Sequence, residues 1–189
     1  MRALILDGSR KEDKVLEKAH NIIKERLEKD NWEVKSFILR DIQVAPCLGC
    51  FGCWIKTPGV CVINDLGRTI GEYASQSDLW IFITPIIFGG YSSCIKKAID
   101  RLAPIFTPIF MKENGEVHHK WRSRKKPYLI SMGLSLENND KAVNIFKKLT
   151  NRNSLNFHSP GYVCETLASA QTEESIRMRV DSVIMGMKA

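Results

Sequence analysis

The sequence has no apolar run near the ~20 residues a membrane helix needs, no internal repeat and no low-complexity linker. A membrane-spanning helix, a solenoid and a fibrous chain are thereby excluded. Nothing like a secretory signal follows Met1-Arg2, which leads directly into a strand-like run. Six cysteines without an export signal predict a reducing compartment, the cytoplasm, where close thiols serve metal or redox chemistry more often than structural disulfides. Ser-His-Asp, Walker and zinc-hydrolase patterns are also missing. At 189 residues, with 44% hydrophobic and 26% charged residues, the chain reads as one ordinary globular domain with a substantial core.

Lys and Arg exceed Asp and Glu by seven. Such an excess suits nucleic acid, an anionic surface or a phosphate-bearing small ligand. The densest basic run, Lys120 to Lys126, carries a single Trp and belongs to no nucleic-acid module, so a solvated loop is the expectation and nucleic acid is not an expected partner.

Periodicity gives the organisation. Ala3 to Leu6 reads as a strand ending in Asp7-Gly8-Ser9, and Val15, Leu16, Ala19, Ile22, Ile23 and Leu27 then recur at helical spacing. Val34 to Leu39 is a second strand, and Leu79 to Ile83 is a continuous apolar run suited to the middle of a sheet covered on both faces. Helices are expected over Leu66 to Ser75 with Asp65 as cap, and over Ser92 to Leu102. Pro127 to Met132 (strand), Glu137 to Leu149 (helix), Asn156 to Val163 (weaker strand) and Thr172 or Glu173 to about Met185 (helix) complete the alternation. Strands alternating with helices predict a doubly wound α/β fold, a flavodoxin-like five-stranded parallel sheet in the order 2-1-3-4-5 with helices on both faces. Ligands of such sheets bind beyond the carboxyl ends of the strands. That rule selects the turn at Gly8-Ser9, the loop after Ile83 and the loop at Met132 to Ser135. Residues 104–126 form an insertion longer than an ordinary connection, expected to fold over the sheet edge or the ligand mouth.

The loop after the third strand reads Thr84-Pro85-Ile86-Ile87-Phe88-Gly89-Gly90-Tyr91-Ser92. A rigid proline, an apolar and aromatic patch and two glycines suit a flat heteroaromatic ring. The alternative is a simple turn between a buried strand and a helix. With Lys96-Lys97 and Ile99-Asp100-Arg101-Leu102, this segment resembles the NAD(P)H-dependent FMN reductase group of flavodoxin-like proteins, and the likeness extends through the cysteine loop. The resemblance implies that Pro85, Ile86, Ile87, Phe88, Gly89 and Gly90 contact the isoalloxazine ring of FMN and that Ser9 and Arg10 contact its phosphate; Gly133 and Ser135, in the loop after the fourth strand, are candidates for the flavin's other edge. In the phosphate turn the chain departs from the family pattern. It reads Gly8-Ser9-Arg10-Lys11-Glu12-Asp13-Lys14, without the usual proline and Asn-Thr pair, so that Arg10 or Lys11 would have to supply direct charge.

Between about residues 45 and 64, Cys47, Cys50 and Cys53 form Cys-x-x-Cys-x-x-Cys, and Cys61 follows after seven residues. Four thiols in one short loop suit an iron-sulfur or zinc site, and equally redox-active free thiols. The pattern is similar to that of iron-sulfur flavoproteins, which implies a four-iron four-sulfur cluster on these four cysteines. Cys94 and Cys164 are expected to be buried and free. His118 and His119 cannot point the same way on a regular element and are candidates for a substrate contact. Asp100-Arg101 reads as an ion pair or a helix-terminal interaction.

The resulting expectation is an FMN-dependent oxidoreductase that takes electrons from NAD(P)H and passes them to a quinone, a flavin or another small-molecule acceptor. Its catalytic side chains are none, since the flavin carries the chemistry. A homodimer is implied by the resemblance. The alternatives are an iron-sulfur electron carrier and a flavodoxin-fold binding protein that no longer retains FMN.

Overall fold

The computed structural model describes residues 1–113, 115–123, 125–135 and 139–187. Its main sheet has five parallel strands, β1 (Arg2–Asp7), β2 (Glu33–Ile38), β3 (Leu79–Pro85), β6 (Tyr128–Ser135) and β7 (Tyr162–Ala168), in the spatial order β2-β1-β3-β6-β7. This is the predicted flavodoxin-like order. The remaining strands, β4 (Phe106–Glu113) and β5 (Glu116–Trp121), pair antiparallel as a separate hairpin. The 104–126 insertion is therefore a β-hairpin, an element that periodicity did not reveal.

Helices α1 (Lys14–Lys29) and α6 (Glu173–Met187) cover one face, where Leu16, Ala19, Ile23 and Leu27 meet Ile176, Val180 and Ile184 over Ile5, Ile81 and Ile130. The other face lies under α3 (Leu66–Gln76), α4 (Ser93–Asp100) and α5 (Asp140–Asn156), with Ile70, Ile95 and Phe146 packed on Leu4, Trp80 and Phe82. Every residue of β3 is buried, as a strand sandwiched between two helical layers requires. A short helix, α2 (Gly52–Ile55), lies within the cysteine loop. Asp65 caps α3 as expected, its carboxylate accepting the Gly67 amide at 3.0 Å.

Two boundaries move. The fifth strand begins at Tyr162 and runs to Ala168, because α5 continues through Asn156 before the chain turns at His158, whose φ is 51°. Glu137, the expected start of that helix, lies outside the described residues. Trp121 is not a solvated aromatic within the basic run. It is buried against Trp80 and Phe106, with its indole N-H donating to the Lys125 carbonyl at 2.7 Å. Arg124 of that run is also outside the described residues.

Candidate active site

Neighbouring strands β1 and β3 continue in opposite directions across the sheet, so the crevice beyond their carboxyl ends is the topological switch point. The loops that follow them meet there. The Gly8 amide donates to the Ile83 carbonyl at 2.8 Å, and a Cβ at Gly8 would collide with Ser92 Oγ and stand 2.5 Å from Ile95 Cγ1. Only glycine permits this approach.

The β3–α4 loop is held from below and open above. Ile86 donates its amide to Leu134 O at 2.8 Å, Ser92 donates its amide to Thr84 Oγ1 at 2.8 Å, and Ser92 caps α4. Tyr91 is buried, with its hydroxyl in reach of Ser131 Oγ at 3.4 Å and accepting from Asn153 Nδ2 at 3.2 Å. Burial pushes the Tyr91 phenol above its ordinary range, so it stays a neutral anchor. Between these anchors Ile87 and Gly90 exchange two backbone hydrogen bonds around Phe88 and Gly89, which have φ of 49° and 80°. The tight turn forces Phe88 into the left-handed region and presents its ring outward, 99% exposed. Ile87 is exposed beside it, whereas Pro85 and Ile86 are buried. Gly133 is buried below the loop, and a Cβ there would stand 2.6 Å from Phe146 Cε1 and 2.8 Å from Ile86 Cγ1. Its service to the loop is close packing. Ser135 ends β6 at the same sheet edge.

The β1–α1 loop is closed on itself. Ser9 is buried, its amide donating to Asp7 Oδ1 at 2.8 Å and its hydroxyl accepting from Arg40 Nη1 at 2.8 Å. The Arg10 amide donates to Asp13 Oδ2 at 2.8 Å, and its guanidinium reaches the same carboxylate at 3.2 and 2.9 Å. Asp7 and Asp13 are 2% and 4% exposed. Burial pushes the Asp7 carboxyl up, but hydrogen bonds from His20 and Ser9 outweigh it and hold the group below its ordinary value of 3.8. His20 Nδ1 stands 2.6 Å from Asp7 Oδ2, and its Nε2 is 3.0 Å from Ser36 Oγ. Ser9 thus turns its amide inward and the Arg10 amide is taken by Asp13, while the Arg10 guanidinium stays exposed at the loop. Arg40, Asp13 and His20 were not singled out from the sequence. Asp13 did carry a signal, an acidic residue directly before the helix.

The four loop cysteines converge. Cys47, Cys50, Cys53 and Cys61 line one small cavity with Phe51 and Arg101. Burial pushes the Cys53 thiol up, and the neighbouring Cys61, Cys47 and Cys50 raise it further. Beneath them Arg101, 1% exposed, donates from Nη1 to Ala45 O and Asp65 Oδ2, both at 2.9 Å, and from Nη2 to Asp65 Oδ1 at 2.6 Å and Ile63 O at 3.2 Å. Burial opposes this charge, but Asp65 and Cys61 outweigh it and raise the guanidinium's pKa. Asp100 and Arg101 therefore do not pair with each other. Asp100 binds Lys96, while Arg101 is the internal strut of the cysteine loop.

The donor chemistry of four thiols suits an iron-sulfur or zinc group, but the space between them in this arrangement is too small for a four-iron cluster. The cavity holds about 20 Å³, room for about one water. Among the described residues no three His, Cys, Asp or Glu side chains are disposed to hold a metal ion.

Hairpin residues brace this loop. His119 packs between Trp54 and Phe110, at ring distances of 4.8 and 4.4 Å, and its Nδ1 is 3.0 Å from Thr107 O. His118 points the opposite way, toward Glu116 and the ring of His158. His158 spans Glu113 and the His119 carbonyl at 2.9 Å each. Both histidines tie the hairpin down. Cys94 and Cys164 are free, as expected, but only half-buried.

Comparison with known proteins agrees with this architecture. The solved structure of NAD(P)H:quinone oxidoreductase from Methanothermobacter marburgensis is similar, 12% identical, with 96% of each chain covered and a TM-score of 0.68. The FMN-dependent NADH-azoreductase of Bacillus anthracis, solved with FMN, is 13% identical over 98% of this chain and 96% of its own, with a TM-score of 0.69. An iron-sulfur flavoprotein of Methanocaldococcus jannaschii is 34% identical over 73 residues, a stretch covering 39% of this chain and 37% of that protein. A family model described as NADPH-dependent FMN reductase matches residues 1–144. The chain belongs to the NADPH-dependent FMN reductase family, flavin-dependent NAD(P)H oxidoreductases, on a flavodoxin-like sheet whose switch point carries the candidate site.

Proposed function

We propose that the chain passes electrons from NAD(P)H to a small acceptor such as a quinone or a free flavin, through a flavin whose ring lies on the β3–α4 loop. The observation that carries this reading is the outward Phe88 on a turn anchored at the switch point. When bound, the flavin supplies the hydride and electron chemistry. The chain's own residues position it. Ile87 and Phe88 offer an apolar wall, Gly90 lets the ring approach the backbone, Gly89 packs the turn against Ile145, and Thr84, Ser92 and Tyr91 fix the turn from below. Pro85, Ile86 and Gly133 support the wall by packing, and Ser135 stands at its β6 edge.

Exposed Phe88 and Ile145, adjacent across Gly89, together with exposed Leu48, Phe51 and Ile55 of the cysteine loop, support a second copy of the chain covering the site. The test of the function is stopped-flow oxidation of NADPH with quinone or flavin as acceptor, and flavin titration of the purified chain. An unshifted absorption spectrum and unquenched fluorescence at saturating flavin would remove the reading.

A second reading is favoured by the four thiols around one cavity. In it, Cys47, Cys50, Cys53 and Cys61 ligate a four-iron four-sulfur cluster after the loop opens to make room, and the protein acts as an electron carrier. A cavity of about 540 Å³ on the other side of Cys61, with Arg68, Arg101 and Arg122 in its walls, supports access to the same loop. Iron and sulfide analysis after anaerobic purification decides it. Absence of both, with failed reconstitution, leaves the thiols free.

A further inference from the structure

Every described arginine except two pairs with a carboxylate. The exceptions, Arg68 on α3 and Arg122 directly after β5, come from distant parts of the chain, yet both line the same cavity of about 540 Å³. Carbonyl oxygens hold each one in place. Arg68 donates from Nε and Nη2 to Cys61 O at 3.1 and 2.8 Å, and Arg122 donates from Nε to Pro104 O at 3.2 Å and from Nη2 to Phe106 O at 3.4 Å. Carbonyls orient a guanidinium without cancelling its charge. Nη1 of each has no protein acceptor among the described residues. The two heads flank one short segment, since a Cβ at Gly59 would stand 3.5 Å from Arg122 Nε and Cys61 follows two residues later. Arg101 in the same wall is neutralised by Asp65, and Glu72, the one carboxylate among the lining residues, pairs with neither arginine.

The remaining wall is apolar or bare. Val60, Pro104 and Ile105 line it, and Gly67 and Gly71, four residues apart on α3, add a helix face without side chains. Arg101 requires the first of these glycines, because its Cζ would lie 2.9 Å from a Cβ at Gly67. A Cβ at Gly71 meets nothing nearer than Arg101 O at 3.9 Å, so the backbone there has room for a side chain and the cavity stays open without one.

We propose that this cavity binds a small organic anion, an apolar body with a carboxylate or phosphate head that takes Arg68 and Arg122 as its cations. Its volume lies within the roughly 300–1,000 Å³ of small-molecule sites. Guanidiniums already fixed by carbonyls lose little freedom when an oxyanion arrives, and the apolar wall desolvates the body. None of the lining residues belongs to the β3–α4 or β1–α1 loop, so the site does not rest on the flavin reading. It opens instead beside the cysteine loop, on the segment whose Cys61 carbonyl Arg68 holds.

Amide NMR of the isotope-labelled full chain, titrated with naphthoate, naphthyl phosphate and the neutral naphthalenemethanol, tests this. The expected shifts concentrate at Val60, Gly71 and Ser123, with at least one anion binding about tenfold or more tighter than the alcohol. Whichever anion binds tighter identifies the head, carboxylate or phosphate. Shifts confined to other surfaces, or an alcohol that binds as well as both anions, overturn the proposal. Arg122→Gln should weaken the preferred anion about tenfold and leave the alcohol within about twofold. An equal change for both probes removes Arg122 from the recognition of charge and overturns the proposal. Gly71→Leu fills the cavity without touching a cation, and as a helix-favouring change it should leave the unfolding midpoint unchanged or raised. All three probes should then lose binding by about tenfold or more, and anion affinity retained in this folded variant places the ligand elsewhere and overturns the proposal.

Discussion

The β1–α1 loop and the cysteine loop both hold a charged side chain away from water, Asp7 in one and Arg101 in the other, yet the charge is bound by different parts of the two loops. In the first, Asp7 and Asp13 accept from the amides of Ser9 and Arg10, so these charges are bound by the loop's own backbone donors. In the second, Arg101 donates to the backbone carbonyls of Ala45 and Ile63 from inside, and the thiols are left to face a common space. The presence of buried charge is therefore not what separates a site from a scaffold. What matters is whether that charge satisfies the framework or the functional atoms.

The comparison breaks most decisively at Arg101. Arg101→Leu leaves Asp65 and two carbonyls without their donor and should cost about 3 kcal/mol in urea unfolding, with the four thiols reacting faster with a thiol reagent in the still-folded protein. If thiol reactivity does not change, Arg101 is not the strut of that loop. Next in size is Gly89→Ala, which places a Cβ 2.6 Å from Ile145 Cγ2 at φ of 80° and should destabilise by about 1 to 3 kcal/mol, read by the denaturation midpoint.

Asp7 sharpens the other half. Its folded pKa lies below the ordinary 3.8, so on acidification the unfolded chain takes up the proton first. The stability it contributes is present above the unfolded value and is lost as pH falls through the folded one. Asp7→Asn should lower stability by about 1 to 2 kcal/mol at neutral pH and flatten the fall below about pH 4, measured as unfolding midpoint against pH. An unaltered pH profile would mean that the Asp7–His20 contact does not close the loop. The smallest effect belongs to Phe88→Gly. Removing an outward ring and a left-handed strain should leave stability within about 1 kcal/mol, while flavin affinity falls several-fold.

Much of the fold was legible in the sequence. The uninterrupted apolar run from Leu79 to Ile83 announced a central strand, and the helical spacing of Leu16, Ala19, Ile23 and Leu27 announced the face that α1 buries. Asp65 announced a cap, because capping is local. The hairpin of β4 and β5 was not legible, since Ile109, Phe110 and Val117 are exposed and their alternation does not report a core face. Nor were the pairings Arg101 with Asp65, 36 residues away, or Arg40 with Ser9, 31 away. The residue types were in view, but their partners lie on other elements.

By itself the sequence determined the strand order, the turn after the central strand and the gathering of four cysteines, because periodicity, turn chemistry and spacing act over a few residues. Only the tertiary structure decided that the β1–α1 loop is filled by its own carboxylates, that Arg101 props the cysteine loop and that Phe88 stands outward. Those outcomes depend on which charges are brought together away from water, and a buried charge takes whichever partner the fold places within reach.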